Sequence, residues 1–197
     1  GVNEKAYHYL KLSGNKAIQK HSLWEALGFF RRAIDKLNKM PEKPEKIRKQ
    51  IEVIKLVEMP MLLLGYPEDS FDILQEGDEL SKKLNDARDI AIFSGIMGLY
   101  HTHRGNHSKA GFYLENCLEH IEHVQEINII APIAFDICVS YFIRGEYFKI
   151  LDLIPKVLAL IEKTDTKLEF FGKPSNCYSM FHAWYGFCLG ACGEFTE

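Results

Sequence analysis

Gly98-Leu99-Tyr100-His101-Thr102-His103-Arg104-Gly105-Asn106-His107-Ser108-Lys109-Ala110 is the stretch that decides the fold. A helical segment ends at a glycine, a short polar turn follows, and a second amphipathic helix opens at Ser108-Lys109-Ala110. Glycine suits a helix C-terminus because it takes the left-handed backbone conformation without a Cβ clash. The same punctuation returns at Leu64-Gly65-Tyr66, at Arg144-Gly145-Glu146-Tyr147 and at Cys192-Gly193-Glu194-Phe195. Gly65 to Gly105 is 40 residues, Gly105 to Gly145 is 40, and Gly145 to Gly193 is 48. A fixed period of this size marks stacked helix pairs, each burying its apolar face against its neighbours. Such a stack works through the groove along its concave side rather than through one central pocket.

The 197 residues are 47% hydrophobic and 26% charged, which places the chain among folded proteins rather than disordered ones. A net charge of -3 exerts no broad pull on nucleic acid or anionic membrane. The longest glycine-free apolar run, Ile129 to Phe135, contains Pro132 and is too short to span a bilayer. The polar start Gly1-Val2-Asn3-Glu4-Lys5 lacks the apolar core of a signal peptide, and its lack of a methionine reads as a fragment of a larger protein. Cys117, Cys138, Cys177, Cys188 and Cys192 form no CxxC pair, which fits reduced thiols in a cytoplasmic protein.

Periodicity predicts an all-α protein of antiparallel pairs over residues 4–40, 44–84, 87–124 and 128–162, with a partial last repeat over 176–197. No linker interrupts them, so residues 1–197 read as one continuous domain. Ser22 and Glu25 have capping-box spacing. Pro60 should kink its helix or end it early, Pro132 suits a first turn, and Pro155 should bend its helix. The stretch from Thr164 to Ser175 reads as a longer loop.

Gly14, Ala26 and Ala33 in the first pair, and Gly98, Gly105, Ala110 and Cys117 in the third, put small residues where tetratricopeptide repeats need them. Small side chains let two helices approach, while Phe30, Leu74, Leu114 and Ile154 are expected to fill the gaps between pairs. The second pair departs from the pattern with Glu58, Ser70 and Gly77. The chain therefore resembles the tetratricopeptide-repeat (TPR) family. The resemblance implies a right-handed superhelix of about four and a half repeats. Tyr9-Leu10, Leu37-Asn38-Lys39-Met40-Pro41 and Ala183-Trp184-Tyr185-Gly186-Phe187-Cys188-Leu189 extend it further. They resemble the C-terminal repeats of bacterial signalling proteins that carry a class III adenylate or guanylate cyclase, or an AAA- or STAND-type ATPase.

No catalytic set emerges. Gly105-Asn106-His107-Ser108-Lys109 lacks phosphate-loop spacing. His101 and His103 are two residues apart and diverge on a helix, and His120 and His123, one helical turn apart, are only two of the three or four converging ligands that zinc needs, so neither a metal nor a cofactor is expected. Lys39, Lys43, Lys46, Arg48, Lys49 and Lys55 alternate with Glu42, Glu45 and Glu52 and read as a solvated face. Lys11 and Asn15 match two members of a carboxylate clamp, but Leu56, Ile92 and Ile96 occupy its other positions.

The resemblance places the first helix of each pair on the concave side. An apolar groove for a protein or peptide partner would then be lined by Met59, Leu62, Leu99, His103, Phe135, Phe142, Trp184 and Phe187. That predicts a non-catalytic interaction module, engaging a separate protein or other domains of its own chain. The alternative is a peptide- or ligand-sensing domain of a transcriptional or signalling regulator. The apolar C-terminal end further predicts a homodimer.

Overall fold

The computed structural model describes residues 2–121 and 126–194, the side chain of residue 121 excepted. Among these residues there are nine α-helices and no strand. They are α1 (Val2–Gln19), α2 (Leu23–Asn38), α3 (Pro44–Leu63), α4 (Ser70–Leu84), α5 (Ala87–His103), α6 (His107–Ile121), α7 (Ile127–Arg144), α8 (Tyr147–Lys163) and α9 (Cys177–Cys192). The chain divides into two compact units, Gly1–Asp89 and Ile90–Glu197.

Four helix ends share one backbone solution. Gly65, Gly105, Gly145 and Gly193 lie at φ 73°, 70°, 72° and 77°. In each case the glycine N–H donates to the carbonyl three residues back, and the next N–H donates to the carbonyl five residues before it. The pairs are Gly105 to Thr102 (3.0 Å) with Asn106 to His101 (2.9 Å), and Gly145 to Phe142 (3.2 Å) with Glu146 to Tyr141 (2.9 Å). Gly65 and Gly193 repeat it with Leu62, Met61, Gly190 and Leu189 as acceptors. This double bond satisfies carbonyls that a helix end would otherwise leave open, and it turns the chain sharply enough to start an antiparallel partner.

In the first unit, α2 buries Ala26, Leu27, Phe30, Ala33, Ile34 and Leu37, an i, i+3, i+4, i+7 stripe. Each large side chain in such a stripe stabilises the fold by about 1.5–3 kcal/mol. In the second unit the core centres on α7, whose Ile133, Ala134, Ile137, Cys138 and Tyr141 are buried with Ile150, Ile154 and Val157 of α8 and Phe181 and Cys188 of α9.

The small-residue rule acts inside pairs, which corrects the expectation that the bulky residues fill gaps between them. A Cβ on Gly14 of α1 would lie 2.4 Å from Cε1 of Phe30 in α2, and one on Gly98 of α5 would lie 2.7 Å from Cδ2 of Leu114 in α6. Both bulky residues come sixteen positions after their glycine. The irregular second pair is built too: Glu58, Ser70 and Gly77 are buried there.

Local details differ from expectation. Ser22 caps α2 by position but makes no side-chain cap bond, so the Ser22–Glu25 box does not form. Helix α3 runs through Pro60 to Leu63. Pro60 cannot donate to the carbonyl of Leu56, but the Leu64 N–H donates to the Pro60 carbonyl at 3.0 Å, so the turn after it stays helical. Pro132 is the sixth residue of α7 rather than part of its first turn. The predicted end of α6 near Val124, together with His123 and Phe195, lies outside the described residues. Helix α7 is also long and apolar enough, by length and composition, to cross a membrane. Here its buried side forms the core of the second unit.

Candidate functional site

The sequence-predicted groove residues fall in both compact units. Met59 and Leu62 are half-buried on α3 of the first unit. Their neighbours on the α1 and α3 surfaces are charged. Lys11 Nζ lies 2.8 Å from Glu52 Oε1, and the Tyr7 hydroxyl donates to Glu52 Oε2 at 3.0 Å. Burial raises the Glu52 carboxyl, but the Lys11 and Tyr7 hydrogen bonds outweigh it and hold the carboxyl below its ordinary range. Lys49 pairs with Glu4 and Lys55 with Asp89. Lys11 is therefore engaged within its own unit, which removes one side of the clamp-like Lys11–Asn15 pair.

In the second unit, Leu99 is fully buried and Phe135 is 5% exposed, so both serve packing. His103 is exposed at the end of α5, whereas His101 is buried and stacks on Tyr113 at 5.5 Å. The remaining predicted residues converge. Phe135 and Trp184 ring centroids are 4.9 Å apart, and Phe142 and Phe187 are 5.0 Å apart. Tyr147 closes the second group, 5.8 Å from both Phe142 and Phe187. Tilted and edge-on rings at these distances add about 0.5–1.5 kcal/mol per pair beyond area burial. Phe187 remains 53% exposed and Trp184 is half-buried, so the group has a buried floor and an accessible top.

Helix α9 carries no acidic or basic residue other than His182. Ser179, His182, Ala183, Gly186, Phe187 and Ala191 are nevertheless exposed, and they recur at i, i+3, i+4 and i+7 as one stripe. A helix that meets water normally carries charge on that face. This one presents small residues around one aromatic ring. Space for a Cβ on Gly186 is open, with no atom within 4 Å. The helix start is well made: Asn176 accepts a bond from the Ser179 N–H at 2.9 Å.

A buried ion pair ties the loop before α9 to α7. Lys173 Nζ lies 2.8 Å from both carboxylate oxygens of Asp136, with the two side chains 6% and 4% exposed. Phe171 and Gly172 both take positive φ, 52° and 75°, just before Lys173. This turn brings the loop lysine to an aspartate in mid-α7. Neither residue stood out from the sequence reading, although Asp136 is the one charged residue between Ile127 and Ile143. Tyr147 was also missed; its signal is the aromatic pair flanking the Gly145 turn.

All five cysteines are free. Burial pushes the Cys117 and Cys177 thiols up to about 12, and Cys117 donates to the Ala91 carbonyl at 3.2 Å. Such thiols are poor nucleophiles. Among the described residues no three His, Cys, Asp or Glu side chains gather as metal ligands.

No protein-family model and no curated protein matches the sequence. Solved structures do match the fold. The apo form of RapI aligns with a TM-score of 0.67 over 96% of this chain and 70% of its own length, at 15% identity. The fold is a TPR-like helical repeat. At that identity the likeness is one of fold alone.

Proposed function

We propose that this chain is a non-catalytic, ligand-sensing binding module that receives an amphipathic helical segment of a peptide or protein on the α9 surface. One observation carries the reading: Gly186 stands on α9 where Gly14 and Gly98 stand on α1 and α5, but without a bulky residue against it. In the α1–α2 and α5–α6 pairs a Phe or Leu from the second helix seats on the glycine. The stripe around Gly186, which carries no Asp, Glu, Lys or Arg, offers the same seat to a helix from elsewhere, with Phe187 and Trp184 beside it. Helix-in-groove recognition uses anchors at i, i+3, i+4 and i+7, which suits this spacing.

The cyclase or ATPase parent implied by the sequence resemblance draws no support from the solved neighbour. The peptide- or ligand-sensing alternative draws some, because RapI was solved as an apo form, a description that presupposes a ligand. Selection of a displayed random-peptide library on the protein tests the proposal. Enriched peptides should carry Phe or Leu anchors at helical spacing. They should bind Gly186→Leu at least about tenfold more weakly, the loss of roughly 1.4 kcal/mol. Equal binding to Gly186→Leu and Phe187→Asp would overturn it, and so would capture of a second copy in preference to any peptide.

A further inference from the structure

A second concave feature lies in the Ile90–Glu197 unit, between α6, α7 and α8. It is a cleft of about 220 Å³. Ala134, Ile137 and Val157 are buried at its floor, and Leu118 and Leu153 stand half-buried in its walls. Lys156 is its single charged lining residue, exposed at the rim. Protein interiors seldom leave such space unfilled, and an apolar cavity of about 150 Å³ already admits benzene.

The lining constrains the occupant. Aliphatic walls without an aromatic ring or hydrogen-bonding group favour a flexible hydrocarbon chain over a flat polar ring. One cation at the mouth favours an anionic end group. Lys156 already contacts Asp152, Nζ to Oδ2 2.8 Å, but both side chains are largely exposed, 68% and 76%. Exposed i, i+4 pairs contribute little, so the ammonium can change partners at small cost.

We infer that this cleft binds a free single-chain aliphatic carboxylate, with the hydrocarbon tail between α6, α7 and α8 and the carboxylate on Lys156. The site is separate from the α9 surface, and its test does not depend on a peptide. Hexanoate, octanoate and decanoate, each below its micellar concentration, would be titrated into the full chain and followed by calorimetry. Affinity should rise about fourfold per added methylene, the ~0.8 kcal/mol that burying one CH₂ yields, until the cleft is full and the gain stops. Lys156→Glu should weaken decanoate by about tenfold and leave decanol unchanged. Ala134→Leu, checked for unchanged helix content by circular dichroism, should abolish both. Leu153→Asn, on the wall, gives a second reading should Ala134→Leu unfold. Affinity that climbs with chain length without a plateau, that ignores Lys156→Glu, or that appears only with fatty-acid-loaded vesicles would overturn the inference.

Discussion

Phe30 covers Gly14 so closely that a methyl group there would stand 2.4 Å from its ring. Phe30 is fully buried and cannot swing aside. Gly14→Ala should therefore destabilise the protein by about 1–3 kcal/mol, the usual cost of overpacking, despite alanine's better helix propensity. Gly28 lies on α2 with nothing near its Cβ direction. Gly28→Ala should stabilise by up to about 1 kcal/mol. Urea unfolding of both variants checks the pair of signs.

Lys173 and Asp136 should behave as a buried ion pair that is costly to break and cheap to replace. Lys173→Met alone leaves the aspartate buried without its cation and should cost about 3–5 kcal/mol. Adding Asp136→Leu should recover most of that loss. A double-mutant cycle in denaturant measures the coupling, and additive losses would contradict it.

His101 gives the stability a pH dependence. Burial, aided by the nearby Lys109 charge, holds its folded pKa below the ordinary 6.5. The unfolded chain therefore takes up the proton first, and stability rises with pH wherever that is so. The contribution is complete above about pH 6.5 and is lost as pH falls toward the folded value. Between pH 7.5 and 5.5 the wild type should lose more thermal stability than His101→Gln. Identical slopes would contradict the assignment.

Thiol chemistry should single out one cysteine. Cys192 is partly exposed while the other four are buried. Reaction of the native protein with an aromatic disulfide reagent should release one fast equivalent per chain, and Cys192→Ser should remove it.

The helix pairs were legible because their determinants are local. A glycine in the left-handed region ends a helix whatever surrounds it, and the 3.6-residue stripe of α2 names its own buried face. Gly14 and Gly98 were legible as close-approach positions, but the partner that fills each was not, because the sixteen-residue relation appears only once two helices are antiparallel. The groove was legible in part. Phe142, Trp184 and Phe187 share an accessible aromatic surface, whereas Leu99 and Phe135 point into packed interior. Periodicity separates faces of one helix but does not say which face a neighbour covers. Asp136 and Lys173 were invisible for a related reason: a loop of unpredicted path carries one charge to the other.

Trp184 reports most directly on the central claim, that the α9 surface receives a helix. With Trp24→Phe it is the sole tryptophan, since the chain has two. Titration with a peptide selected on the protein should shift Trp184 emission to the blue and saturate, and Gly186→Leu should suppress the shift at the same concentrations. Saturable binding with unchanged Trp184 emission, or an equal shift in Gly186→Leu, would contradict the account.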